Sequence, residues 1–249
     1  MDASSKDQHG ELVAMDRSIG TLRAALKEIG IADNTILWFT SDNGGLPKIK
    51  PNTVGGLRGF KGSVYEGGLR VPAIVEWPSK IKPRITKFPA VSMDIFPTVA
   101  EVTGLPSDSM LEKVDGISLT KLFEKEIEKR GQPIPFSYQG SKALIDENYK
   151  LVFTGSKKKK KKFALYDLES DPKEKSDLME SQPKLAAKMK TLMSEFDASI
   201  EASVAGKDYA SGKLNKNENP EPRLWTDVPA YKPYFEEWKK RPEYKSRFK

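Results

Sequence analysis

An α/β fold followed by a smaller antiparallel part is what this sequence predicts, and three observations carry the prediction. A helix-period apolar stripe runs into a short, uniformly apolar strand. A second such strand and helix follow. After Leu122, short strands come in quick succession with turns between them.

The first element is a helix from about Glu11 to Ile29. Leu12, Met15, Ile19, Leu22 and Leu26 recur at three- and four-residue intervals, with Asp16, Arg17, Arg23 and Lys27 off the stripe. Gly30 stands where a helix stop belongs. Asp33-Asn34 signals a turn, and Thr35-Ile36-Leu37-Trp38-Phe39-Thr40 has no polar alternation, so it reads as a strand covered on both faces. Helix, short loop and buried strand make half of a parallel α/β unit. A glycine-rich stretch from Val54 to Pro72 is too rich in glycine for a regular helix, and Ala73–Trp77 reads as another buried strand. Ser92–Thr103 is a helix with Pro97 near its first turn, closed by Gly104-Leu105-Pro106.

Beyond Leu122, strands are expected at 136–139, 142–145, 150–154 and 163–166, the pattern of a small antiparallel sheet. A helix from about Pro183 to Ala202 presents Leu185, Met189, Leu192, Phe196 and Ile200 on one face. From Gly206 the chain is polar, basic and Pro-containing, with scattered aromatics. Three segments result: 1–123, 124–205 and 206–249.

Composition limits the chemistry. There is no cysteine, which excludes disulfides, thiolate metal sites and cysteine nucleophiles within these residues. His9 is the only histidine, so a two-histidine metal site or a Ser-His-Asp triad has little to draw on, and His9 is given no role. No run approaches the roughly 20 apolar residues of a spanning helix. Residues 1–10 lack the apolar core of a signal peptide, so the protein is expected either to stay unexported or to have its natural start upstream. The net charge is +7, and six of those charges are the run Lys157–Lys162. That run reads as a solvated loop between two strands, or as a contact for a polyanion.

The candidate chemistry lies at two places. Asp42-Asn43 directly follows a strand, where open α/β sheets bind ligands. Carboxylate beside carboxamide offers oxygen donors, which suit calcium or magnesium rather than zinc, although Asp-Asn-Gly-Gly is also an ordinary turn. Lys61 lies among six glycines, on backbone that can approach a ligand closely, and its ammonium suits an oxyanion. A surface lysine in a loop is the alternative. Glu66 and Arg70 read as ion-pair or backbone anchors of the glycine-rich loop, and Asp94 as a structural group at a helix start.

Taken in order, Met15-Asp16-Arg17-Ser18-Ile19-Gly20, Phe39 to Gly45, Leu57 to Pro72, Trp77-Pro78 and Met93 to Thr98 resemble the second half of the type I sulfatase family. Tyr166 to Glu174 (YDLESDPKE) resembles a strand and turn of the C-terminal subdomain of bacterial members. The resemblance implies part of an alkaline-phosphatase-like α/β sandwich with a small C-terminal α+β subdomain. It implies a sulfuric ester hydrolase in which Asp42 and Asn43 are ligands of calcium (magnesium as substitute) and Lys61 contacts the sulfate. The family nucleophile is a formylglycine made from Cys/Ser-x-Pro-x-Arg. No such motif occurs in this chain. The family's other metal ligands, histidines and lysine would lie before Met1, and the chain by itself is expected to be inert. The expected partner is a sulfated small molecule or sulfated glycan, with no nucleic acid and no membrane span, in a periplasmic or extracellular setting. Two alternatives stand beside this: a phosphoesterase or phosphonate monoester hydrolase of the same superfamily, and a non-catalytic polyanion-binding module.

Overall fold

The computed structural model describes residues 3–111, 114–156, 159–209, 224–241, 244 and 248. The chain forms two compact units, residues 1–203 and 204–249.

The first unit is organised around a four-stranded antiparallel meander: β3 (Ile134–Tyr138), β4 (Ser141–Asp146), β5 (Tyr149–Ser156) and β6 (Lys159–Asp167), in sheet order β3-β4-β5-β6. The strands fall where the pattern of apolar runs and turns predicts: β3 starts two residues earlier and leaves Gln139 to the turn, and the other three are longer at both ends. Tyr138 pairs with Ser141 across a two-residue turn, Gln139-Gly140, with positive φ at both positions, the geometry that matches strand twist. Side-chain alternation divides the sheet into two faces. Leu144, Leu151 and Leu165 pack against Ala186, Met189 and Met193 of the long helix α5 (Pro183–Val204). The opposite face carries Ala143, Val152, Ala164 and Tyr166, covered by Val64 of the glycine-rich loop. The sheet is thus the layer between a helix and a loop.

The lysine run spans the β5–β6 connection. Lys159 pairs with Ser156 and Lys162 with Thr154, while Lys157 and Lys158 lie outside the described residues.

The helix predicted from Glu11 begins earlier, as α1 (Ala3–Glu28). Its apolar stripe is largely open to solvent: Leu12, Val13, Met15 and Leu22 are exposed, and among its described residues only Ser5 is buried. The Ser5 hydroxyl accepts a hydrogen bond from the Lys50 N–H at 2.9 Å.

The expected parallel unit with fully covered strands is corrected by the structure. β1 (Leu37–Thr40) and β2 (Ala73–Glu76) pair with each other, antiparallel, as a two-stranded ribbon. Trp38 is half-buried against Phe88, Leu119 and Leu122, whereas Ile74 is exposed. An apolar run without alternation indicates burial on both faces only if layers exist to cover both, and among the described residues one side of the ribbon stays open. Arg23 of α1 grips Glu76 of β2 through two hydrogen bonds of 2.8 Å.

Between these parts lies α3 (Ile95–Thr103), preceded by a 3-10 turn at Ser92–Asp94 and stopped by Gly104 in the left-handed conformation. A short helix α4 (Thr120–Glu124) follows. The glycine-rich stretch is irregular as expected, apart from one helical turn, α2 (Glu66–Leu69). No described helix is long and apolar enough to cross a membrane.

In the second unit the aromatics are gathered rather than scattered. Trp225 lies at the centre, its ring 5.4–6.0 Å from those of Phe235, Trp238, Tyr244 and Phe248. The one-turn helix α6 (Phe235–Trp238) supplies two of these rings.

Candidate functional site

Asp42 and Asn43 follow the end of β1, where the chain leaves the ribbon. The Ser41 hydroxyl donates to the Asn43 carbonyl at 2.9 Å and closes the bend. The next two residues join this bend to the glycine-rich loop. Gly44 N–H donates to Gly68 C=O and Lys61 N–H donates to Gly45 C=O, both at 2.9 Å. The Asp42-Asn43 bend and Lys61 therefore belong to two loops held backbone to backbone.

Glycine is required there by space. A Cβ on Gly44 would stand 1.9 Å from the Gly67 carbonyl oxygen, and one on Gly67 would stand 2.2 Å from that of Gly59. No side chain fits between those backbones. The glycines thus serve contact between the loops, a role that the count of glycines alone does not separate from approach to a ligand.

Beneath the loop is an ionic anchor. Lys150 of β5 is fully buried, on the same sheet face as Val152. Its Nζ donates to Glu66 Oε1 at 2.8 Å, and Glu174 Oε1 stands 2.9 Å from the same nitrogen. The Glu66 N–H donates to Glu174 Oε2 at 2.7 Å. Burial pushes the Glu174 carboxyl above its ordinary value, against the pull of Lys150 and of the Glu66 N–H. Arg58 adds a second tie. It donates to the Tyr166 hydroxyl and to the Glu174 carbonyl, both at 2.9 Å, with its guanidinium 3.9 Å over the Tyr65 ring. Burial also raises the Tyr166 hydroxyl, with Arg58 opposing.

Glu66 is therefore an ion-paired anchor of the loop, as its setting in the sequence suggests. Asp94 is a structural group. It is buried, accepts from the N–H groups of Val91 and Ile117 at 2.9 Å, and receives Arg130 in a two-pronged pair of 2.6 and 2.7 Å. Lys150 and Arg130 are the residues that sequence reasoning passes over. The signal for Lys150 was there: a lysine inside the apolar run Tyr149-Lys150-Leu151-Val152-Phe153 needs a buried partner. Nothing comparable marks Arg130, which lies in a charged stretch.

Asp42 and Lys61 are exposed and Asn43 is half-buried. Among the described residues no three His, Cys, Asp or Glu side chains cluster as a metal site. The Asp42-Asn43 pair offers oxygen donors of the type a hard cation takes, and amounts to part of the six to eight ligands calcium uses.

Comparison with known proteins gives these surfaces a context. The family model "Sulfatase" matches residues 7–105, and the model "N-sulphoglucosamine sulphohydrolase, C-terminal" matches residues 59–201. Human arylsulfatase A is 37% identical over 115 residues, covering 45% of this chain and 22% of the relative. N-acetylgalactosamine-6-O-sulfatase of Bacteroides thetaiotaomicron is 27% identical over 206 residues, covering 73% of this chain and 40% of the relative. Among solved structures, Ps i-CgsB in complex with k-i-k-neocarrahexaose superposes with a TM-score of 0.69 at 28% identity, over 79% of this chain and 44% of that one. The chain thus spans 22% to 44% of the length of these relatives. Their fold is the alkaline-phosphatase-like α/β architecture, of which the elements described above are a part.

Proposed function

Because the chain belongs to the sulfatase family, we propose that it carries the sulfate-contacting lysine and part of the metal ligation of a sulfuric ester hydrolase. One observation carries this reading: the backbone bonds Gly44–Gly68 and Lys61–Gly45 hold the Asp42-Asn43 bend against the loop that bears Lys61. A flexible cation on a loop bonded to that bend, beside a carboxylate and a carboxamide, suits a tetrahedral oxyanion held next to a divalent ion.

The roles follow from the chemistry of each group. Lys61 neutralises a sulfate oxygen through its ammonium. Asp42 supplies a charged oxygen ligand and Asn43 a neutral one. Glu66, through Lys150 and Glu174, keeps the loop from drifting, since small displacements of a positioning group cost rate steeply. A bound divalent cation would polarise the sulfate oxygens and offset charge developing on them. The nucleophile the family uses arises from Cys/Ser-x-Pro-x-Arg, which these 249 residues do not contain. The residues present therefore account for binding and orientation, and turnover requires the nucleophile as well. The substrate class is a sulfated small molecule or sulfated glycan, a periplasmic or extracellular setting is proposed, and calcium is the metal, with magnesium as its substitute.

Calorimetric titration with 4-nitrophenyl sulfate and 4-nitrophenyl phosphate, with and without calcium, tests the reading. Metal-dependent binding that favours the sulfate and falls about tenfold or more in Lys61→Ala supports it. Equal binding by Lys61→Ala, or a preference for phosphate, contradicts it.

A further inference from the structure

Where the glycine-rich loop stops covering the sheet, a cavity of about 360 Å³ opens. The geometry points to this cavity as the subsite for a neutral sugar ring of a sulfated saccharide whose sulfate lies on Lys61, an inference that rests on the reading of Lys61 given above.

The same sheet face changes character along its length. Near its middle Ala143 and Val152 are buried under Val64. One step along each strand toward the β3–β4 turn come Ser141 and Thr154, and beside Ser141 its cross-strand partner Tyr138. Ser63 and Tyr65 close the loop side and Gln139 the turn. The face passes from a dry, aliphatic contact to one of hydroxyls, an amide and an aromatic ring. Among the described residues no charged side chain lines the cavity.

Position ties the cavity to Lys61. The Tyr138 ring passes over Gly62, the residue after the lysine: a Cβ on Gly62 would stand 3.7 Å from both Tyr138 Cε1 and its hydroxyl oxygen. Gly62 has φ +83°, a conformation glycine adopts without strain, and it puts no side chain between its backbone and the ring. Tyr138 itself is 47% exposed, a large ring beside the β3–β4 turn. Lys61 precedes the first lining residue, Gly62, so a ligand with its anion on Lys61 would reach this ring across Gly62.

Chemistry selects the ligand. A ring with polar edges and apolar C–H faces can stack on Tyr138 and exchange hydrogen bonds with Ser63, Ser141, Thr154 and Gln139. An aryl or steroid group would desolvate the Ser141 and Thr154 hydroxyls and the Gln139 amide without pairing them, which is unfavourable, whereas the Ser63 hydroxyl already accepts from the Tyr65 N–H. A second sulfate would find no cation among the described lining side chains. The volume, in the range of small-ligand sites, suits about one ring.

The test titrates the 249-residue chain in calcium buffer with galactose 6-sulfate, methyl galactoside and 4-nitrophenyl sulfate, following binding by saturation-transfer NMR. Wild type, Tyr138→Ala, Tyr138→Phe and Lys61→Ala are compared, each checked for native circular dichroism. Galactose 6-sulfate is expected to bind more tightly than 4-nitrophenyl sulfate. Tyr138→Ala should weaken galactose 6-sulfate on the order of tenfold and leave 4-nitrophenyl sulfate within about twofold, as for loss of an aromatic anchor. Tyr138→Phe, which keeps the stacking face, should retain most of the affinity. Methyl galactoside alone should bind weakly and show saturation transfer that Tyr138→Ala abolishes. If Tyr138→Ala affects neither sulfate ester, or weakens both equally, the subsite is wrong while the role of Lys61 stands. If Lys61→Ala changes nothing while Tyr138→Ala does, the anion reading fails instead. A wild-type chain that binds none of the three compounds contradicts both.

Discussion

Lys150 and Glu66, 84 residues apart in the chain, meet at 2.8 Å with the lysine wholly out of water. That contact joins the central sheet to the loop that carries Lys61. The loop holds its place through a charge buried in the sheet beneath it as well as through its own glycines.

Removing that charge should be costly. Lys150→Met leaves Glu66 and Glu174 buried without their cation, and breaking a buried pair in this way costs about 3–5 kcal/mol. Arg23→Ala, which breaks the more exposed pair with Glu76, should cost no more than about 1 kcal/mol. Urea denaturation of the two variants compares them directly. Similar small losses would mean that the buried cluster does not hold the loop.

Glu174 gives a pH signature. Its carboxyl is raised above the ordinary value, chiefly by burial, so the folded state holds that proton more tightly than the unfolded chain. Its contribution to stability is complete below the ordinary glutamate value, declines as pH rises through the raised one, and levels off above it. Glu174→Gln should therefore lose that declining component. Stability measured against pH in wild type and Glu174→Gln checks it, and parallel profiles would contradict it.

The glycines separate by role. Gly44→Ala drives a methyl into the Gly67 carbonyl and should destabilise by about 1–3 kcal/mol, with loss of sulfate-ester binding. Gly20, inside α1 with open space around it, behaves in the opposite way. Gly20→Ala should stabilise by about 0.5–1 kcal/mol. Thermal melts of both variants, with binding measured alongside, distinguish packing glycines from merely helical ones.

Arg130 and Asp94 make a second test of buried charge. Arg130→Met strips the two-pronged partner from a carboxylate with no exposed surface, and a loss of about 3–5 kcal/mol is expected. Because the pair lies at the start of α3, sulfate-ester affinity in the folded fraction should be unchanged. A variant that folds normally but fails to bind would place Arg130 in the binding machinery.

Local signals carried most of the elements. The stripe at Leu185, Met189 and Leu192 marks α5, the short strands with turns between them from Phe136 to Tyr166 mark the meander, and Gly104 marks the stop of α3. What covers an element is a non-local property, and there the sequence misleads. Trp38 and Phe39 read as fully enclosed, yet β1 pairs antiparallel with β2 and stays partly open. The site divides in the same way. Asp42, Asn43 and Lys61 can be picked out by residue type and setting, but the bonds that join their loops run between Gly44 and Gly68 and between Lys61 and Gly45. Backbone pairings of that kind leave no pattern in residue identity beyond an excess of glycine.

A double-mutant cycle is the most direct measurement. Affinity for 4-nitrophenyl sulfate in calcium buffer would be determined for wild type, Asp42→Ala, Lys61→Ala and the double variant. Two groups acting on one anion through one ion should couple by more than about 0.5 kcal/mol, with the double variant losing less than the sum of the single losses. Strictly additive losses would show that Asp42 and Lys61 serve separate places on the molecule and would overturn the shared site.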